Sequence, residues 1–280
     1  MMQSTLYSAQ TSGGLQLRET LDCGQAFRWQ ELPQEDGFIV FEGVAMGKHL
    51  KIRQENENIR FFCSEEEFQS IWFSYFDLGT DYAAKKNTLS KISPALMDSI
   101  SYAPGIRLLK QEPFETMCSF ILSQNCNIPR IKGMISRLCQ LCGEPIGGGF
   151  YSFPTPAQLA AQSAQSLEPV RAGFRTGYLL DAAEKVAGGM VDFDKIQNSS
   201  LEEGREILQT VRGIGPKVSE CILLFGFHKL AAFPMDVWMK RAMSTLFPGE
   251  SPGLFGEDAG LAQQYIFHYF RTRAVAPEHK

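Results

Sequence analysis

Thr210-Val211-Arg212-Gly213-Ile214-Gly215-Pro216-Lys217 reads as the end of one helix, a tight turn with two glycines, and a second helix starting at Pro216. Gly213 and Gly215 allow positive φ and a close approach of backbone to a bulky anion. Pro216 suits the first turn of a helix, where a missing N–H costs nothing. The second helix then points its free N–H groups and its positive dipole end outward, which is a ready anion site. Lys217 stands at the mouth of that site. The stretch reads as a phosphate clamp that also carries a candidate lysine nucleophile. Asp236, in Pro234-Met235-Asp236 nineteen residues past the lysine, is grouped with this stretch, and its plainer reading is an ordinary helix N-cap.

Working outward, Ser200-Leu-Glu-Glu203 has the spacing of a capping box and opens the helix that leads into the hairpin. Residues 217–227 form a strongly apolar helix beyond it. Ala172-Gly-Phe-Arg-Thr-Gly-Tyr178 is a second glycine-spaced turn, entering a helix over 179–187. Phe174 beside Arg175 is either a wedge into a base stack with a guanidinium reaching a base edge, or a hydrophobic staple with a surface arginine. In Ser123-Gln-Asn-Cys-Asn-Ile-Pro-Arg130, Pro129 starts a helix and Asn127 is placed to cap it. From Asn127 to Gly143 there is no acid, but Arg130, Lys132 and Arg137 are present, a local positive patch. Asn125 and Asn127 are open to capping or to base contact. The last helix, 259 to about 271, carries Gln263 and Phe267 one turn apart.

The N-terminal third has a different character. Gly37-Phe-Ile-Val-Phe-Glu-Gly43, Gly47 to Arg53 and Asn58-Ile-Arg-Phe-Phe-Cys63 are short β-rich runs with polar breaks, the pattern of an antiparallel sheet with one covered face. Gly24, ahead of Phe27 and Trp29, stands where backbone is able to approach something closely; the plainer reading of this stretch is a strand entry with two core aromatics. From Ser64 onward the pattern turns helical, with helices expected over 89–100 and 112–124. The fold class is α+β: an antiparallel β domain over 1–105, then an all-α domain over 106–275, with the junction in the 80–110 region.

The 280 residues are 44% hydrophobic and carry a net charge of −4, so a nucleic-acid partner has to rest on local rather than bulk charge. Seven scattered cysteines read as reduced thiols of a cytoplasmic protein, with Cys139 and Cys142 buried near a helix end rather than binding metal. No apolar run approaches the roughly 20 residues of a membrane span.

Six stretches, in order, carry a resemblance: Gly24-Gln-Ala-Phe-Arg-Trp29, Ser123 to Arg130, Gly173-Phe-Arg175, Gly213-Ile-Gly-Pro-Lys-Val-Ser-Glu-Cys221, Pro234-Met-Asp-Val237 and Ala259 to Phe267. Together they resemble the 8-oxoguanine DNA glycosylases of the helix-hairpin-helix superfamily, over residues 15 to 272. The resemblance implies a β domain like half of a TATA-box binding protein fold, then a helical glycosylase domain that acts as a monomer on double-stranded DNA containing 8-oxoguanine. It implies Lys217 as the nucleophile at C1′ and Asp236 as its acidic partner. Gly24 would accept the N7–H that 8-oxoguanine has and guanine lacks. Gln263 would read the Watson–Crick edge, with Phe267 and Cys221 as the walls of the base pocket. Asn125 would fill the emptied stack, Arg130 and Arg175 would contact the orphaned cytosine, and Phe174 would wedge the helix. Gly213 and Gly215 would hold a phosphate, in the family with help from a bound monovalent cation, and no other cofactor is required.

Cys126, Phe174 and Trp238 depart from the better-known eukaryotic members, which carry asparagine, tyrosine and histidine there. These departures bear on stringency for the opposite base. Lys217 argues against the alkyl-base glycosylases, which lack a catalytic lysine. The absence of cysteine after Cys221 argues against the iron–sulfur glycosylases. A non-catalytic DNA-binding module would have no use for both Lys217 and Asp236.

Overall fold

The computed structural model describes residues 4–8, 13–34 and 36–275. Strands β1 (Thr5–Ser8), β2 (Trp29–Glu31), β3 (Ile39–Ala45), β4 (Lys48–Glu55) and β5 (Asn58–Phe61) form one antiparallel sheet in the order β1-β5-β4-β3-β2. The strands run about two residues beyond the sequence reading at β3 and β4. Met46 and Gly47, at φ 53° and 68°, make the two-residue turn between them, so Ala45 pairs directly with Lys48. Leu50 and Ile52 of β4 face inward in strict alternation. They meet Trp29, Phe41, Phe61, Trp72 and Phe76 in an aromatic-rich core. Trp29 Nε1 donates to Tyr75 Oη at 2.9 Å, which confirms Trp29 as core. Helix α1 (Leu17–Leu21) lies across this layer, and Gln54 Oε1 accepts its Leu17 N–H. The sheet is closed by α2 (Glu65–Glu67), a π-helical turn over Phe68–Trp72 and α3 (Phe73–Tyr75), with Ser64 capping as expected.

The helical layer comprises α4 (Tyr82–Ser90), α5 (Pro94–Tyr102), α6 (Pro113–Ser123), α7 (Ile128–Cys142), a small hairpin β6 (Pro145–Gly147) and β7 (Phe150–Tyr151), α8 (Pro156–Ala160), α9 (Thr176–Ala187), α10 (Phe193–Asn198), α11 (Leu201–Gln209), α12 (Pro216–Phe225), α13 (Val237–Leu246) and α14 (Ala259–Val275). The single helix expected over 89–100 is two. Ser93 is extended ahead of Pro94 and caps α5 through Leu96 N–H, because a residue before proline is pushed out of the helical region. By packing, the boundary between layers falls near residue 80 rather than 105: α4 and α5 bury their apolar faces in the helical core, α5 against α14. Phe27 also belongs to that core, and Leu109 to the β core, so the chain interleaves the two.

A buried carboxylate joins them. Asp77 accepts from Thr80 Oγ1 (2.8 Å) and Tyr82 Oη (3.0 Å), pairs with Lys110 Nζ (2.8 Å), and lies 3.5 Å from His228 Nε2. Burial alone would raise its pKa; His228, Lys110 and Thr80 outweigh that and hold it well below the usual carboxylate range. All seven cysteines are free, and Cys139 and Cys142 are buried at the end of α7. Among the described residues no helix is long and apolar enough to cross a membrane, and no group of three or more His, Cys, Asp or Glu is placed to hold a metal ion.

Candidate active site

The hairpin forms as the sequence dictates. Ser200 and Glu203 make both bonds of the capping box at the start of α11. After Gln209 the chain tightens, with Val211 N–H on Leu208 O and Ile214 N–H on Val211 O. The two glycines serve different ends. Gly213 has φ +85°, and a Cβ there would lie 2.2 Å from Tyr178 Cδ2, so both the conformation and the contact demand glycine. Gly215 is extended at φ −98°, not in the left-handed region expected for it, and a Cβ would point into open space. Its contribution is that of an N-cap without a side chain: among the described residues no side chain caps α12, and its first amides stay available to an anion. Asp181 Oδ2 fixes the turn by accepting from Arg212 N–H (2.7 Å) and Lys185 Nζ (2.9 Å), while Lys185 Nζ also donates to Thr210 O (2.6 Å).

Lys217 sits half-buried in the first turn of α12, its Nζ 5.4 Å from the centre of the Phe120 ring. One turn on lies the buried thiol of Cys221, close enough to feel the Lys217 charge. Burial pushes that thiol up to about 11 against the opposing pull of the Lys217 ammonium, so at neutral pH Cys221 is a protonated thiol and not a rival nucleophile. Asp236 is close enough to bear on the same thiol. It is also the N-cap of α13, with Oδ1 accepting Met239 N–H at 2.8 Å. Its two readings are compatible, because one oxygen caps and Oδ2 makes no hydrogen bond among the described residues.

The second cluster comes from segments distant in sequence. Gly24 has φ +88°, and a Cβ on it would lie 3.7 Å from Phe267 Cε1 and 3.9 Å from Arg271 Nη1. The loop is held from beneath by Gln25. Its Nε2 donates to Thr20 O and Arg107 O, its Oε1 accepts Leu109 N–H, and its carbonyl accepts Gln111 Nε2 at 2.8 Å. Gln111 N–H in turn bonds Phe225 O, at the end of the helix that carries Lys217 and Cys221. Gln263 is 5% exposed, with Nε2 donating to Pro234 O at 3.4 Å. That carbonyl fixes the amide orientation and leaves Oε1 buried without a partner, an acceptor waiting for a donor.

The third group faces outward. Asn125, at φ +49°, projects from the exposed link between α6 and α7. Asn127 caps α7 by accepting Arg130 N–H at 3.0 Å, and Arg130 is exposed. Phe174 is 58% exposed at a turn tip, as a wedge requires. Arg175 differs from both sequence readings: it is 3% exposed, neither a surface arginine nor a free reader of base edges. Its Nε and Nη2 donate to Gln124 O, its Nη1 to Ala172 O, and Nη2 also reaches Asn125 O at 3.4 Å. It ties the Phe174 turn to the Asn125 link.

Four residues beside the site have no role in the sequence reading. Gln25 and Gln111 brace the Gly24 loop. Glu220 accepts Phe233 N–H at 2.6 Å and Arg205 Nε, which braces the segment leading to Asp236. Arg271 lies beside Gly24. Only Glu220 had a readable cue, an acid inside an otherwise apolar helix.

Residues 118–252 match the HhH-GPD superfamily of base excision DNA repair proteins, the class that this hairpin and helical layer define. Residues 8–117 match the 8-oxoguanine DNA glycosylase N-terminal domain. The structure of MBOgg1 in complex with a low affinity DNA ligand is 37% identical, covers 97% of this chain and 96% of its own, and superposes with a TM-score of 0.89. The Clostridium acetobutylicum 8-oxoguanine glycosylase/lyase, in complex with double-stranded DNA containing cytosine opposite 8-oxoguanine, is 36% identical over 93% of each chain, with a TM-score of 0.85. A probable N-glycosylase/DNA lyase of Methanothermobacter thermautotrophicus is 32% identical over 204 residues, which are 61% of this chain and 65% of that protein, just under two thirds of its length. The chain belongs to the 8-oxoguanine DNA glycosylase family.

Proposed function

We propose that the protein is a bifunctional DNA repair glycosylase that removes 8-oxoguanine from duplex DNA and then cleaves the strand as an AP lyase. The observation that carries this is the convergence of Lys217, Cys221 and Asp236 at the foot of a hairpin with uncapped amides. Such a hairpin grips phosphate, while the lysine beside it is within reach of the sugar. The target base has to leave the stack, at a cost of about a few kcal/mol. Phe174, Asn125 and Arg130 are the groups on the outer face that offset this cost, and Arg175 takes part by holding Asn125 in place.

The neutral amine of Lys217 attacks C1′ and the base departs. Asp236, through its free oxygen, stabilises positive charge at the sugar and moves a proton. The amine and the opened sugar form a Schiff base, and β-elimination releases the 3′ phosphate. In the base pocket, Phe267 and Cys221 sandwich the purine and Gln263 Oε1 takes a donor from its Watson–Crick edge. The Gly24 carbonyl accepts the N7–H of the lesion; guanine would set a lone pair against it, a difference on the order of 1–3 kcal/mol.

No cofactor takes part in these steps. A monovalent cation is proposed at the hairpin turn, on backbone carbonyls alone; Thr210 O already receives the Lys185 ammonium at 2.6 Å, so this face of the turn accepts a cation. The protein works as a monomer in the cytoplasm, at the nucleoid. Borohydride trapping on an 8-oxoguanine duplex tests the reading. A covalent adduct that disappears in Lys217→Gln is expected, and no adduct with the wild type overturns it.

A further inference from the structure

Arg271 lies one turn beyond Phe267 and two beyond Gln263 on α14, so the three share one face of the helix. The axial distance from Gln263 to Arg271 is about 12 Å at 1.5 Å per residue, the span of a purine with a hydrogen bond at either end. Gln263 offers a buried, unpartnered oxygen at one end of that span. At the other, Arg271 Nη1 is 3.9 Å from where a Cβ on Gly24 would lie, and its guanidinium carbon is 5.7 Å from the centre of the Phe267 ring. The side chain is half-buried. Among the described residues it has no carboxylate within 4 Å and no hydrogen-bond acceptor. A guanidinium carries five N–H donors and no acceptor, so this end of the pocket is built to donate.

We propose that Arg271 is a specificity-determining residue that donates a hydrogen bond to the C8 oxygen of the flipped base. The inference rests on the 8-oxoguanine reading above. With the Gly24 carbonyl on N7–H, the neighbouring ring substituent, the oxygen on C8, falls on the Arg271 side. Guanine has a C–H there, and Arg271 would face it with its donors unmet. The two chemical differences between lesion and normal base are then read by two different groups: the added proton by an acceptor at Gly24, the added oxygen by a donor at Arg271. A charge-assisted bond to an oxygen is the stronger of the two kinds.

The alternative occupant of such a cation is a DNA phosphate, and the test separates the two. Single-turnover base removal from an 8-oxoguanine·cytosine duplex and strand cleavage at a preformed abasic site are measured for wild type, Arg271→Met and Arg271→Lys, with thermal midpoints alongside. The abasic duplex keeps every phosphate and lacks the base. We expect Arg271→Met to slow base removal about tenfold with abasic cleavage within twofold of wild type, and Arg271→Lys, which keeps a donor, to fall between. Equal losses in both assays, or no loss in either, overturn the assignment. Wild type that fails to release 8-oxoguanine overturns the proposed function and this inference with it; an active wild type with an indifferent Arg271→Met overturns only the inference.

Discussion

Glu220 Oε2 accepts the Phe233 N–H at 2.6 Å, and its other oxygen takes Arg205 Nε. Through this one side chain, the helix that carries Lys217 holds both α11 and the segment that delivers Asp236. Phe233 is buried and stacks on Phe255, with ring centres 5.6 Å apart, so the bonded amide has no water to turn to. Glu220→Ala should cost about 1–3 kcal/mol of stability from the orphaned amide alone. It should also slow base removal by about tenfold or more, because small displacements of a catalytic group are costly. Glu220→Gln, which keeps an acceptor, should retain more of both. Chemical denaturation and single-turnover excision check this; full activity in Glu220→Ala would show that Asp236 is positioned without it.

Gly24→Ala should act on the base and little on the fold. The new methyl fits sterically, at 3.7 Å from Phe267, but the φ of +88° costs about 1–2 kcal/mol for any side chain. The methyl also points between Phe267 and Arg271. Release of 8-oxoguanine should fall, with cleavage at a preformed abasic site largely kept. Equal rates of base release in variant and wild type would remove Gly24 from the pocket.

Arg130 and Arg175 should separate cleanly. Arg130→Ala removes an exposed cation, so stability should hold while discrimination among opposite bases relaxes. Arg175→Ala withdraws the donors to Gln124 O and Ala172 O, so it should lower stability by about 2–3 kcal/mol and disorder the Asn125 link. Excision opposite each of the four bases, with thermal midpoints, distinguishes them. A stable Arg175→Ala protein would contradict a bracing role.

Glu115, on α6, pairs with Arg28 Nη1 at 3.2 Å in a buried setting. Burial lifts its carboxyl from 4.5 to about 7, against the pull of Arg28. The folded state therefore holds this proton more tightly than the unfolded chain does. Its contribution to stability is whole below pH 4.5 and lost as pH rises through 7. Glu115→Gln should lose less stability between pH 5 and 8 than wild type. Parallel pH profiles for the two proteins would exclude this titration.

The local chemistry of the chain was open to reading. Pro216 after Gly215, Ser200 with Glu203, Asn127 before Pro129 and the alternation around Leu50 and Ile52 each act within a few residues, so the hairpin, its caps and the β-then-α order follow from sequence. Lys217 and Asp236 stood out for the same reason, each placed at a helix start. What no local rule supplies is contact across the chain. Gly24 meets Phe267 and Arg271 only because Gln25 and Gln111 bolt one loop to the end of α12, and α14 packs alongside. Arg175 reads as a surface residue and is buried because the carbonyls at the end of α6 lie within its reach. Periodicity and capping determined which segments form and where the uncapped start of α12 lies. The meeting of Gly24, Phe267 and Arg271 was decided by tertiary packing, since they come from segments whose mutual distance is set by long-range burial and bracing hydrogen bonds that no spacing in the sequence records.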